Sequence, residues 1–337
     1  MKRHPGSDYN RLVEATLAYR GSKSLLVALH FDLFTWMERG YDTPSRLGRK
    51  LGLDPGALRI LLNAISALGY LRRRGERYAN APMARNLLVA GRPRYKGNNL
   101  KYQEQTWDAW SDLRHVVKTG KPRRLLQEWL RKETFTQDYI KAMHDISQEP
   151  ARELARKLDW RGVERSLDVG SGPGAYSAAF VERSPKIEAV LFDLPDSLQI
   201  AKDFLKRNPR RKRFVFRAGN YHQGDFGRDE FDLILLSHVT HNENPETNRR
   251  LLRHARRALR PGGKVVIHDF VLDPAGGAPQ FAALFALHML VFTGVGDVYT
   301  MKEYSGWMRE TGFKNIRRIP IAQGNVNASV ALVGQAA

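Results

Sequence analysis

The chain of 337 residues contains no cysteine, which excludes disulfides, thiolate metal sites and a cysteine nucleophile. It has no apolar run near the roughly 18 residues that cross a bilayer, and its opening, MKRHPGSDYN, lacks the apolar stretch of a secretory signal. A cytoplasmic protein without a membrane partner is expected. Acidic residues are in deficit: 35 Asp plus Glu against 55 Lys plus Arg leave a net charge of +20, a reason to consider nucleic acid or another polyanion as partner. The excess is uneven, since the first hundred residues hold 18 Lys plus Arg and 7 Asp plus Glu, or +11. There is no internal repeat and no low-complexity segment. Apolar residues are plentiful at 42%, ample for one large domain or two ordinary ones.

Residues 8–160 carry apolar residues at helical spacing, as in Leu25, Leu26, Leu29, Leu33, Phe34 and Met37. Within them, Thr43-Pro44 and Asp54-Pro55 each start a short helix, and two strand-like pieces flank Gly75. That is the pattern of a winged helix. From residue 163 short apolar strands alternate with amphipathic helices, which predicts βαβ units. Strands are expected at 166–170, 189–193, 213–219, 231–239, 264–272, 315–321 and 328–336, the last two closing as a hairpin, with LRPGG at 259–263 as a turn. The fold class is α/β, a Rossmann-like seven-stranded sheet after a helical, winged-helix domain, divided at 1–98, 99–160 and 161–337.

The first strand runs into LDVGSGPGAY. Gly170, Gly172 and Gly174 allow a tight turn and close approach of a ligand, and the following helix offers its N-terminal amides. Gly170, Gly172 and Ala175 also fit the dinucleotide fingerprint. Asp168 tilts the choice: a carboxylate two residues before the first glycine repels a pyrophosphate and suits the ammonium of S-adenosylmethionine. Asp193, ending the second strand, is placed to accept hydrogen bonds from ribose hydroxyls in either case.

Together LDVGSGPG, FDLPDSLQIA from Phe192, AGNY at 218–221, LLSHVTHNENP, LRPGGKVVIHDFVLD and FAALFALHML resemble, in order, the S-adenosylmethionine-dependent small-molecule O-methyltransferases. That group contains the plant caffeate and flavonoid enzymes and bacterial polyketide and carotenoid enzymes. The resemblance implies a class I methyltransferase domain and a winged helix that builds a homodimer rather than reading DNA. In keeping with this, the second winged-helix helix offers only Arg59, Asn63 and Ser66, whereas Arg72, Arg73, Arg74 and Arg77 in the wing keep a phosphate contact open. It implies S-adenosylmethionine against Asp168, Gly170, Gly172, Gly174, Asp193, Leu194, Gly219, Asn220, Tyr221, Ser237 and His238, with Asn220 where many relatives have Asp.

A phenol of pKa about 10 needs a base near neutral pH, and histidine is the natural one. The resemblance places that base at His241, followed by Asn242 and Glu243 where the motif usually has Asp and Trp. It places a supporting acid at Asp269, and a second at position 298, which here is Val298. His238 is expected as scaffold; it should not form a metal site with His241, because a strand end and turn do not reliably converge residues three apart. His254, His268 and His288 are expected as scaffold or pocket lining. The acceptor pocket is expected from Trp107, Trp110, Phe135, Tyr139, Met143 and His144 on one side and Phe285, His288, Met289 and Phe292 on the other, flat surfaces that suit an aromatic or polyketide-like acceptor. Two other outcomes stay open. The missing acid admits C-methylation or a non-methylating hydroxylase, decarboxylase or pericyclase, and the +20 charge admits a nucleic-acid binder or nucleic-acid methyltransferase.

Overall fold

The structure, a computed structural model, describes residues 5–129, 133–224, 226–324 and 327–337, and the side chains of all of these but 5–7, 127 and 133–135. The chain divides into two compact units, residues 1–107 and 108–337, so the break falls inside the 99–160 segment.

In the first unit the two short helices form as expected. Thr43 Oγ1 caps Pro44–Leu51 by accepting from Arg46 N, and Asp54 caps Pro55–Ala67 by accepting from Ala57 N, each with proline where an amide would be unpaired. The strands β1 (Leu71–Arg74) and β2 (Arg77–Asn80) pair antiparallel as the wing. Two of its four arginines are engaged at home. Arg73 Nη1 donates to Asn63 Oδ1 at 2.9 Å, Tyr78 OH donates to the same oxygen at 2.7 Å, and Arg77 pairs with Asp42 at 2.8 Å. The core gathers Leu29, Leu33, Phe34, Leu47, Leu62 and Ile65, while the long helix Pro5–His30 leaves Tyr9, Leu12 and Tyr19 exposed.

The second unit holds the seven-stranded sheet: β3 (Arg165–Val169), β4 (Glu188–Asp193), β5 (Phe214–Ala218), β6 (Phe231–Ser237), β7 (Leu259–Asp269), β8 (Phe313–Ile321) and β9 (Ser329–Ala336). Their order is β5-β4-β3-β6-β7-β9-β8, with β3 to β7 parallel and β9 antiparallel to both neighbours. The sheet is covered on both faces, and so β6 is apolar almost throughout. Leu233 and Leu235 pack on one face with Leu154 and Phe180, and Ile234 and Leu236 pack on the other with Leu251 and Trp307. Burying one such leucine contributes about 1.5–3 kcal/mol.

Two boundaries differ from expectation. LRPGG is the start of β7 rather than a turn before it: Phe231 pairs with Leu259 and Leu233 with Lys264, so residues 260–263 bulge outward, with Gly262 at φ +76°. At the other end β6 stops at Ser237, because His238 takes the left-handed φ of +55°, and β7 stops at Asp269. Strand order reverses between β3 and β6, and the carboxyl ends of those strands open the crevice where such sheets bind ligands.

Candidate active site

Each glycine of the loop after β3 has positive φ: +66° at Gly170, +51° at Gly172 and +76° at Gly174. A Cβ on Gly170 would lie 2.8 Å from Val239 Cγ2, and one on Gly174 2.8 Å from Leu191 Cδ2, so the loop is closed to larger residues. Asp193 at the end of β4 is held across it. Its Oδ2 accepts from Gly172 N at 2.8 Å and its Oδ1 from Leu194 N at 2.7 Å. The Leu194 side chain itself is exposed. Asp168 is buried and accepts from Ser177 Oγ at 2.7 Å. Burial, with the nearby charge of Asp193, pushes its carboxyl up to about 7 against the pull of Ser177.

These residues fit the cofactor expected there. The loop is a backbone cradle, Asp168 suits a cation, and the buried Ser171 Oγ has no partner among the described residues. Gly219 donates its amide to Asp193 O, and Asn220 Oδ1 accepts from His222 N, shaping the turn after β5. Tyr221 OH donates to Glu243 Oε1 at 2.8 Å and His222 Nε2 lies 3.3 Å from the same oxygen, so that turn is tied to the segment carrying His241.

At the crevice's other side Asp269 is fully buried and gathers donors. Its Oδ1 accepts from His241 Nδ1 at 2.7 Å and Phe270 N at 2.9 Å, and its Oδ2 from Thr240 Oγ1 at 2.6 Å and His241 N at 3.2 Å, with Tyr304 OH at 3.4 Å. Burial alone would raise this carboxyl; the imidazoles of His241 and His238 outweigh it and hold it well below the usual range. Thr240 and Tyr304 carried no signal in the sequence, because hydroxyls 64 residues apart meet only in the fold.

His238 corrects an expectation. Its φ of +55° turns the ring back so that Nδ1 comes within 3.5 Å of Asp269 Oδ1, and the three side chains present ligand-type atoms within 4.8 Å of one another. The strand end therefore does converge residues three apart. Ser237 Oγ is bonded to His268 Nδ1 at 3.1 Å, and His268 Nε2 meets Ser329 Oγ at 2.9 Å. Burial and the neighbouring His238 push His268 well below its usual pKa, so it is a neutral scaffold ring. His254 is bonded to the carbonyl of Gly224.

Of the expected pocket residues, Phe285 stands edge-on to His241 at 4.9 Å between centroids, His288 lies 5.6 Å from Phe285, Phe292 4.5 Å from His288, and Trp110 Nε1 donates to His288 Nδ1 at 3.0 Å. Met289 and Phe292 are buried. Others have different described neighbours. Trp107 belongs to the first unit, with Lys23 Nζ 4.9 Å above its ring, and His144 stacks on Phe204 at 4.2 Å. Burial, with the nearby charge of Asp193, pushes the Tyr139 hydroxyl up to about 12. Met143 is half-buried on the helix Glu133–Lys157, and the Phe135 side chain lies outside the described residues. Val298 packs with Phe270, Ala282, Phe281 and Phe285, so the wall where an acid was expected is apolar. Asp297 is exposed and accepts from Val298 N.

Known proteins resemble the chain in sequence and in fold. Residues 110–314 match the model of an O-methyltransferase domain and residues 13–90 that of an O-methyltransferase dimerisation domain. The chain is 30% identical to the 3-hydroxy-5-methyl-1-naphthoate 3-O-methyltransferase of Streptomyces sahachiroi, covering 92% of this chain and 91% of that one. It is 26% identical to the tetracenomycin polyketide synthesis 8-O-methyltransferase of Streptomyces glaucescens, covering 92% and 93%. In fold it resembles human N-acetylserotonin methyltransferase in complex with S-adenosylmethionine, with a TM-score of 0.87 at 20% identity over 100% of this chain and 99% of that one. With the glycine cradle, the paired carboxylates at the strand ends and the buried His–Asp pair in one crevice, the chain belongs to the S-adenosylmethionine-dependent O-methyltransferase family.

Proposed function

We propose that the protein methylates a phenolic or enolic hydroxyl of a small aromatic or polyketide-like metabolite, with His241 as general base. The observation that carries the reading is the 2.7 Å contact between His241 Nδ1 and the buried Asp269 carboxylate. It fixes the proton on Nδ1 and leaves Nε2 to take the proton of the attacking hydroxyl, while Asp269 stabilises the imidazolium that results. The cofactor supplies the electrophilic methyl group. Asp168, Asp193, the glycine loop, Ser171 and the turn at Gly219, Asn220 and Tyr221 hold it, and the aromatic wall around Phe285 keeps water from the hydroxyl. The dimerisation-domain match and the exposed Tyr9, Leu12 and Tyr19 on the first helix support a homodimer.

The test is turnover of a phenol panel, naphthoates included, with products read by mass spectrometry. Wild type should add one methyl on oxygen, and His241→Ala should lower kcat by about 10²–10⁴-fold with cofactor affinity retained. Full activity in that variant would remove His241 as base. A methyl on carbon, or a product without a methyl, would support the reading in which the apolar wall at Val298 serves altered chemistry.

A further inference from the structure

His288 holds a proton whose position the fold decides. Trp110 Nε1 lies 3.0 Å from His288 Nδ1, and an indole N–H can only donate. His288 Nδ1 is therefore the acceptor of that bond and carries no proton. The ring sits against Phe285 and Phe292, and burial, with His241 nearby, pushes its pKa to about 4, so near neutral pH it is uncharged and its one proton is on Nε2. No described residue pairs with that Nε2. That Nε2 is not shut off from solvent, so a ligand settling over it either offers it an oxygen or leaves the N–H buried and unpaired, at a cost of about 1–3 kcal/mol. The donor stands one aromatic ring from the base, because Phe285 touches both His241 and His288.

We infer that His288 is a specificity-determining donor whose Nε2–H binds a carbonyl oxygen carried on the same fused aromatic skeleton as the hydroxyl that is methylated. The substrate class is then hydroxylated aromatic ketones or quinones rather than simple phenols. This rests on the methyltransferase reading of the site. A neutral donor in an apolar wall favours an uncharged oxygen, since a carboxylate there would be desolvated without a cation to pair it.

A matched pair of probes isolates the contact: a phenol fused to a cyclohexanone ring (a hydroxytetralone, in its positional isomers) and the same phenol with methylene in place of the ketone (a tetrahydronaphthol). Dissociation constants are measured with S-adenosylhomocysteine bound, and turnover is measured separately. Wild type should bind at least one ketone about 10-fold or more tighter than its methylene counterpart, the range of one buried hydrogen bond. His288→Leu should bring that ratio to near one. His288→Asn, which keeps an N–H donor, should restore part of it, and Trp110→Phe, which frees the proton to sit on either nitrogen, should reduce it. No ketone preference in wild type, or one that survives His288→Leu, overturns the inference. A preference abolished by His288→Leu in a protein that forms no O-methyl product keeps the His288 assignment and refutes the methyl-transfer reading instead.

Discussion

Replacing Asp269 by asparagine tests the base assignment most directly, because the carboxylate is fully buried and both oxygens are taken. Oδ1 accepts from His241 Nδ1 and Phe270 N, and Oδ2 from Thr240 Oγ1 and His241 N. An amide has one accepting oxygen, so one pair of donors must face an NH₂ group. With that group toward His241 Nδ1 the ring is driven to the tautomer that carries its proton on Nε2 and cannot act as base. With it turned the other way, the main-chain amide of His241 loses its acceptor. In both cases the charge opposite the imidazolium is gone. Unit charges about 4 Å apart at an effective dielectric of 20 interact by about 4 kcal/mol, and loss of the orienting acid in a comparable triad costs about 10⁴ in kcat. The expected fall is therefore about 10²–10⁴-fold at neutral pH on a phenol of pKa about 10. Rates are followed against pH with that phenol and with a nitrophenol. Wild type, with a base in place, should depend less steeply on pH. Asp269→Asn should keep rising about tenfold per pH unit, as only the phenolate reacts, and should be rescued by the more acidic nitrophenol. Because the folded carboxyl lies well below its ordinary value, its contribution to stability is present above about pH 4 and is lost as pH falls through the depressed value. The melting difference between the two proteins should therefore shrink in acid. A folded Asp269→Asn protein with near wild-type rates on the unactivated phenol would refute the pairing as a catalytic device.

Asp168 should report cofactor binding by a proton. Its carboxyl, raised to about 7, holds a proton in the empty site that a bound ammonium expels, so calorimetry near pH 6.5 in buffers of different ionisation enthalpy should show net proton release, absent in Asp168→Asn. Equal heats after buffer correction in both proteins would place the ammonium elsewhere. The same raised pKa means that the cofactor-free protein loses stability as pH rises from about 4 to 7, a loss Asp168→Asn should not show. Glu243, buried and accepting from Tyr221 OH with His222 beside it, is a positioning residue for the turn after β5. Glu243→Ala should weaken cofactor binding about 10-fold with kcat little changed, in keeping with loss of a hydrogen bond to a charged group, and Glu243→Gln should recover most of it. An unchanged dissociation constant in Glu243→Ala would show that the turn is held by other contacts.

The sheet was legible because covered parallel strands read as apolar runs and the loop between β3 and the next helix needs its glycines. Each expected strand lies within a few residues of an observed one, and the departures have local causes: the left-handed turn at His238 ends β6 early, and the bulge at Gly262 extends β7 backward. The pairing of His241 with Asp269 was legible through motif order. What the sequence did not carry were relations that only tertiary packing creates. Thr240 and Tyr304 meet on Asp269, Trp110 meets His288 across 178 residues, and His238 reaches the same carboxylate oxygen as His241. These relations also answer the question raised by Val298. A carboxylate at that position would lie among Phe270, Phe281 and Phe285, where its charge would be desolvated without a donor. Asp269 has its charge offset by two imidazoles, two hydroxyls and two main-chain amides, so the site concentrates its negative charge in one fully satisfied group and leaves the facing wall apolar. A second acid would add an unpaired charge to that wall, and the His241–Asp269 pair already contains the hydrogen bond that sets the tautomer of the proposed base.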